Sequence, residues 1–177
     1  MTNLATKTEE IKRVPSVWIG CLASYNSGRL FGEWVEIPDD AEELREEIKR
    51  VLKKSPDPFA EEWAFMDNEY CPNDLGENPD LDKLCEYASL YKEHGEAVEG
   101  FCDIFGYEYI ENFDDHYVGN YESFQAFADQ MADDTILVDC PENISFYFDY
   151  EKFANDLGYD YDHYTGAMGD CHVFTNH

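Results

Sequence analysis

Between Glu93 and Glu151 the chain runs for 59 residues without one lysine or arginine while carrying sixteen aspartates and glutamates. Residues 1–54 are nearly balanced, with nine basic and ten acidic side chains. Residues 55–177 hold only Lys83, Lys92 and Lys152 against thirty acids, so almost all of the net charge of −28 sits there. Charge this one-sided works against compaction through self-repulsion, and its use must lie in solubility, in steering, or in meeting a cationic partner. Neutralising nucleic-acid phosphates is excluded, because the surface has their sign. Competing with nucleic acid for a protein that binds it is not.

High acidity accompanies disorder when large apolar residues are scarce. Here thirteen Tyr, twelve Phe and three Trp are available in 177 residues, enough to build a modest core. The chain therefore folds. Its six cysteines (Cys21, Cys71, Cys85, Cys102, Cys140, Cys171) form no CxxC pair, which is poor spacing for zinc and fits reduced thiols in a cytosol. The first residues are polar and no stretch approaches a membrane span, so a soluble, cytoplasmic protein with no membrane partner is expected.

Periodicity divides the chain into helical and strand pieces. Residues 16–23 and 30–37 read as a hairpin around the turn Asn26-Ser27-Gly28. Asp40 opens a helix, with Glu43 as a capping-box partner and Leu44, Ile48, Val51 and Leu52 as its inner face. The run Ser55 to Pro58 stops it, and residues 62–70 return as a strand. Residues 71–79 read as a linker. Leu81, Leu84, Cys85, Ala88 and Tyr91 mark a second helix, and residues 97–105 a third. Residues 112–120 read as a polar junction. Phe124, Phe127, Ala128 and Met131 mark a further helix, as do Tyr150, Phe153, Ala154 and Leu157. Residues 159–164 and 171–175 suggest a closing hairpin around Gly166 and Gly169. The fold class is α+β, as subdomains in a row.

Chemistry finds little purchase. The loop from Asp160 to Cys171 has acids at the first and third positions of a calcium loop. Thr165, however, stands where its glycine belongs, and Cys171 where its glutamate belongs. Carboxylate pairs suited to glycoside hydrolysis arise by chance among forty acids. His116, His163 and His172 lack a nucleophile signature around Cys140 or Cys171. No glycine-rich loop with a lysine is present to hold phosphate.

The magnitude of the charge is informative. Duplex DNA shows one charge per ~1.7 Å of axis, so twenty-eight charges correspond to roughly 48 Å, about 14 base pairs. A compact chain of this length has a diameter of about 40 Å, so the charge per length is of duplex order.

Several segments, in order, resemble a known family. Residues 17–34, VWIGCLASYNSGRLFGEW, are similar to the opening pattern CLAxYNxGxLxGxW of ArdA-type antirestriction proteins. Residues 61–70, EEWAFMDNEY, resemble that family's EWAIxDYE, with Asn68 where the pattern has an aromatic. Residues 75–81, LGENPDL, resemble LGEYPSL, and residues 117–128, YVGNYESFQAFA, resemble YxGxYxSxxxFA. Residues 148–157 and His172 to Phe174 are similar to the closing segment.

The resemblance implies an elongated, curved α+β homodimer whose acidic surface imitates bent duplex DNA. Such a protein occupies the DNA-binding groove formed by the specificity and methylation subunits of type I restriction-modification enzymes, and so protects mobile DNA. It implies no catalysis and no cofactor. Combined with the element pattern, it gives a flexible leader over 1–15, an N-terminal α+β domain over 16–72, a helical middle domain over 73–113 and a C-terminal α+β domain over 114–177. The cation-free run supplies the expected mimic surface: Asp103, Glu108, Glu111, Asp114, Asp115, Glu122, Asp129, Asp133 and Asp134. Tyr117, Gly119 and Tyr121 are expected to be scaffold, with a turn at Gly119. The alternative is a general acidic binding module or chaperone for basic proteins.

Overall fold

Val17 and Ile19 alternate with the less buried Ser16 and Trp18 along β1 (Ser16–Cys21), the period of a strand with one face inward, and Gly20 and Cys21 end it buried. The chain then makes the short helix α1 (Leu22–Asn26) before β2 (Gly32–Glu36), so the hairpin closes through a helical turn rather than a tight one. Helix α2 (Ala41–Lys53) follows, and β3 (Trp63–Glu69) adds to the far side of β1. The result is an antiparallel sheet in the order β2-β1-β3. The computed structural model describes residues 13–177 of the chain. The expected leader over 1–15 lies mostly outside them, but its last residues are packed: Pro15 is buried and its carbonyl accepts from Ile37 N at 2.9 Å.

Helix α2 begins where the sequence places it. The Asp40 carboxylate accepts from the backbone N–H of Glu42 and Glu43 at 2.9 and 3.0 Å, satisfying two otherwise orphaned donors. Leu44, Ile48 and Val51 turn inward. Arg50 and Lys54, at its other end, both grip Glu33 on β2, at 2.6 and 2.8 Å. The segment 71–79 is no free linker: Leu75 is buried, and Phe65 N donates to Glu77 O across 3.0 Å.

Asp80 caps α3 (Leu81–His94) through bonds from Asp82 N and Lys83 N. Gly95, at φ +58, joins it to α4 (Glu96–Phe105). Gly100 in α4 serves close approach, because a Cβ there would overlap the Tyr164 ring. A 3-10 turn, Tyr107–Asn112, and α5 (Phe113–His116) lead into β4 (Tyr117–Tyr121).

The polar junction expected over 112–120 is therefore a helical turn followed by a strand. Its Asn, Asp and Gly content hides the alternation of half-buried Tyr117, Gly119 and Tyr121 with exposed Val118 and Asn120. Gly119 likewise makes no turn. It sits at a register shift in β4, a bulge that leaves Val118 out of the ladder.

Helix α6 (Phe124–Met131), capped by Ser123, runs on into a π-type turn, Ala132–Ile136. The four-residue α7 (Glu142–Ser145) and then α8 (Tyr150–Leu157) follow. The expected hairpin closes the fold as β5 (Tyr161–Thr165) and β6 (Cys171–Thr175), giving a second antiparallel sheet ordered β4-β6-β5. The loop weighed for calcium is this hairpin, with Asp162 paired to Phe174 in the ladder.

Two clusters of buried side chains hold these elements. The larger joins Val17, Ile19, Leu44, Ile48 and Val51 to Leu84, Tyr87, Ala88, Val98, Phe101 and Phe113. The smaller is Phe127, Ala128, Ala154, Leu157, Cys171 and Val173. Strand β6 stands between them. Its side chains alternate faces, so Cys171 and Val173 enter the smaller cluster while Phe174 enters the larger. Phe174 is fully buried, with its ring centroid 5.5 Å from Tyr117 and 6.1 Å from Phe101. Phe174→Ala is expected to lower stability by about 3–5 kcal/mol, the usual cost of emptying a buried aromatic site; urea denaturation followed by tyrosine and tryptophan fluorescence measures it.

Candidate functional site

Where the few cations go decides where the anions are left bare. Arg45 pairs with Glu42 and Asp82, Lys49 with Glu46, Arg50 with Glu47 and Glu33, Lys54 with Glu33, and Lys92 with Asp39. Arg29 meets Asp57, and Arg13 meets Glu96. Lys83 bonds Glu111 at 3.1 Å and also donates to the Glu108 carbonyl. Every lysine or arginine ion pair among the described residues thus has its carboxylate at or before Glu111. Fourteen aspartates and glutamates follow, from Asp114 to Asp170, and among the described residues none pairs with a lysine or arginine. Two are half-buried, Asp129 and Asp162; the other twelve are exposed.

Six of the nine candidate residues, from Asp114 to Asp134, belong to this set; Asp103 and Glu108 precede it, and Glu111 is paired with Lys83. Eight of the nine are exposed and Asp129 is half-buried. Asp103 projects from α4, Glu108 and Glu111 from the 3-10 turn, and Asp114 and Asp115 from α5. Glu122 precedes α6, Asp129 lies on it, and Asp133 and Asp134 lie on the π-type turn. Several are fixed by neutral donors rather than cations. Asp129 accepts from Gln125 Nε2 at 2.7 Å, and Asp133 from the Tyr150 hydroxyl at 2.7 Å. Such bonds orient a carboxylate without cancelling its charge, and the bond to Asp133 raises the pKa of the Tyr150 phenol.

The structure groups these acids with others that the sequence did not single out. Glu86 on α3 faces Glu111 and Asp114; burial, then Glu111, pushes its carboxyl upward. Asp103 and Glu108 surround Cys102 together with Asp74 and Glu99. Glu86 sits on a helix face beside Lys83, and Asp74 in the segment read as a linker, so neither carried a positional signal. Glu99 lies in the cation-free run itself.

The nucleophile candidates are occupied structurally. His116 Nδ1 bonds the Thr175 carbonyl at 2.6 Å, and His172 is buried beside the Tyr117 hydroxyl at 3.3 Å. His163 stacks on Phe124. Burial lowers the His172 pKa and pushes the Cys171 thiol up. Among the described residues no group of three or more His, Cys, Asp or Glu is arranged to hold a metal. All six cysteines are free thiols. No described helix is long and apolar enough to cross a membrane.

What the arrangement offers is a folded surface of oriented carboxylates that, among the described residues, has no lysine or arginine ion pair beyond Glu111. No curated protein matches the chain. A protein-family model does: residues 17–170 match the antirestriction protein (ArdA) model. That span includes both sheets up to the start of β6 and all nine candidate acids, and the chain belongs to the ArdA family of antirestriction proteins.

Proposed function

We propose that this protein acts against restriction by imitating duplex DNA, inhibiting type I restriction-modification enzymes by occupying their DNA-binding groove and so protecting incoming mobile DNA. The observation that carries the reading is the set of carboxylates beyond Glu111 with no lysine or arginine partner among the described residues. A groove lined with Lys and Arg meets them as it meets phosphates, with release of counterions and charge-assisted hydrogen bonds at contact. Because they stand on packed helices and strands, little ordering cost arises on binding. The nine residues from Asp103 to Asp134 are the core of the proposed surface. An elongated, curved arrangement of three units, along which that surface follows a bent duplex, belongs to the same proposal, as does action in the cytoplasm.

Dimerisation is part of the proposal too. Ile136, Val138, Ile144, Phe146 and Tyr147 stand exposed within the acidic half, Phe146 at 85% and Tyr147 at 81%. Large apolar side chains exposed on an otherwise charged surface favour burial against another chain, and a second copy fits because like-charged surfaces must be held together by apolar contact. Sedimentation at micromolar concentration should give a dimer, and Phe146→Ser with Tyr147→Ser should shift it toward monomer. A wild-type monomer at that concentration contradicts the proposal.

ATP-dependent cleavage of a long DNA by a purified type I enzyme tests the main reading. Inhibition should approach stoichiometry, weaken as salt rises, and be relieved by excess DNA containing the recognition sequence. One exposed pair is worth ~0–1 kcal/mol, so Asp114→Asn alone should weaken inhibition no more than about fivefold. Neutralising Asp114, Asp115, Glu122, Asp129, Asp133 and Asp134 together, at roughly twofold each, should reach about 60-fold. Loss of all activity in a folded Asp114→Asn protein points to a single hot spot instead. Failure of the folded wild-type protein to inhibit any such enzyme leaves the general acidic binding module.

A further inference from the structure

A cleft of about 350 Å³ opens between α4 and the segment after β3, at the small end of the range for ligand sites. Its walls include Tyr70, Asp74, Tyr87, Glu99, Asp103 and Tyr164. The composition is unusual in two ways. Three carboxylates share it with three aromatic rings, and no lysine or arginine lines it among the described residues. The Tyr87 side chain is fully buried and its hydroxyl has no hydrogen-bond partner among the described residues. A buried hydroxyl left unpaired carries a real cost, and such a group calls for an explanation.

The surroundings of that hydroxyl place it on the cleft side of α3. Burial first, and then the neighbouring Cys102, Glu99 and Cys71, raise the Tyr87 phenol, and all three of these residues line the cleft. The phenol is therefore neutral, with a lone pair to offer. The two thiols are pushed up to about 12, mainly by burial, and add no charge. The carboxylates are only lightly committed: Glu99 accepts from the Tyr91 hydroxyl at 2.8 Å, and Asp103 from Asn73 Nδ2 at 3.5 Å. Each keeps acceptor capacity for a donor entering from outside.

We infer that this cleft seats a guanidinium group, an arginine side chain of the basic partner. A guanidinium is planar, carries five donors and no acceptor, and sheds water more readily than an ammonium. Those properties match what the walls present. Glu99 and Asp103 supply anionic acceptors, Tyr87 a neutral one, and Tyr70 and Tyr164 add aromatic rings to the lining, groups that attract cations. Tyr70 is also the one described non-glycine residue with positive φ, at +54, so the chain turns sharply where it enters the wall. The inference rests on the proposed function only in naming the partner; it adds a discrete pocket to a surface otherwise read as distributed charge.

The test uses the full chain and N-acetyl-arginine methylamide as probe, with the isosteric but uncharged citrulline analogue as control. NMR of the labelled protein should show saturable shifts confined to the ring signals of Tyr70, Tyr87 and Tyr164 and to neighbouring amides, and none with citrulline. Tyr87→Phe, which removes the unpaired hydroxyl and leaves the packing intact, should weaken the probe about threefold or more. Glu99→Gln with Asp103→Asn should weaken it by at least about tenfold. Shifts spread evenly over the acidic surface, or equal in the variants, overturn the pocket as mere ion condensation. The lysine analogue binding more tightly than the arginine one overturns the guanidinium assignment. In the cleavage assay, the pocket double variant should lose more inhibition than Asp156→Asn with Asp160→Asn, which removes equal charge elsewhere. Inhibition by the wild type without probe binding removes the pocket and keeps the partner. Probe binding in a protein that inhibits no enzyme keeps the pocket and removes the partner.

Discussion

Repulsion among carboxylates that have no cation nearby is the constraint under which this fold exists. Beyond Glu111 the described chain balances fourteen acids with Lys152 alone, so compaction there must come from apolar contact. The aromatic residues meet that demand. Phe101, Phe113, Tyr117 and Phe174 gather on one side of β6, and Phe127 with Tyr121 and Tyr161 on the other. Strand β6 is the wall that both clusters share, which is why Cys171 to Phe174 are buried without interruption. The acids are thereby left outward, on helices and turns that cannot collapse onto one another.

Charge placement along the chain follows a division of labour. In the first part, lysines and arginines are consumed by nearby acids, and Glu33 alone takes up Arg50 and Lys54, tying β2 to α2. That part is held by ordinary means. In the second part the orienting contacts are neutral, from Gln125 to Asp129 and from Tyr150 to Asp133. Neutral donors fix a carboxylate in place while leaving its field intact, which is what the proposed binding to a cationic groove requires. A polyanionic tail would carry the same charge but lose ordering entropy on binding.

Elements with strong local signals were legible in the sequence. Asp40 and Asp149 cap the helices they precede, the apolar faces of α2, α3, α6 and α8 follow the 3.6 period, and the closing hairpin lies where Gly166 and Gly169 suggest. Strand β4 was not legible, because Asn120, Gly119 and the acids before it outweigh the alternation of Tyr117 and Tyr121. The burial of Leu75 was hidden by the prolines, glycine and asparagines around it. Tyr87 was legible but unmarked: it lies three residues after Leu84 and four before Tyr91, on the same helical face, and is fully buried. For the candidate surface, the sequence located the cation-free run, from which the nine candidate acids were drawn. It could not supply the groupings with Asp74, Glu86 and Glu99, which depend on how α3, α4 and the 3-10 turn pack.

The measurement that bears most directly on DNA imitation is competition at equilibrium. A fluorescent duplex carrying the recognition sequence is bound to the methylation and specificity subunits of a type I enzyme, and displaced by this protein at several salt concentrations. The account predicts full, mutually exclusive displacement, with an affinity that falls linearly in the logarithm of salt as it does for DNA. A ternary complex in which duplex and protein remain bound together, or an affinity indifferent to salt, would contradict it.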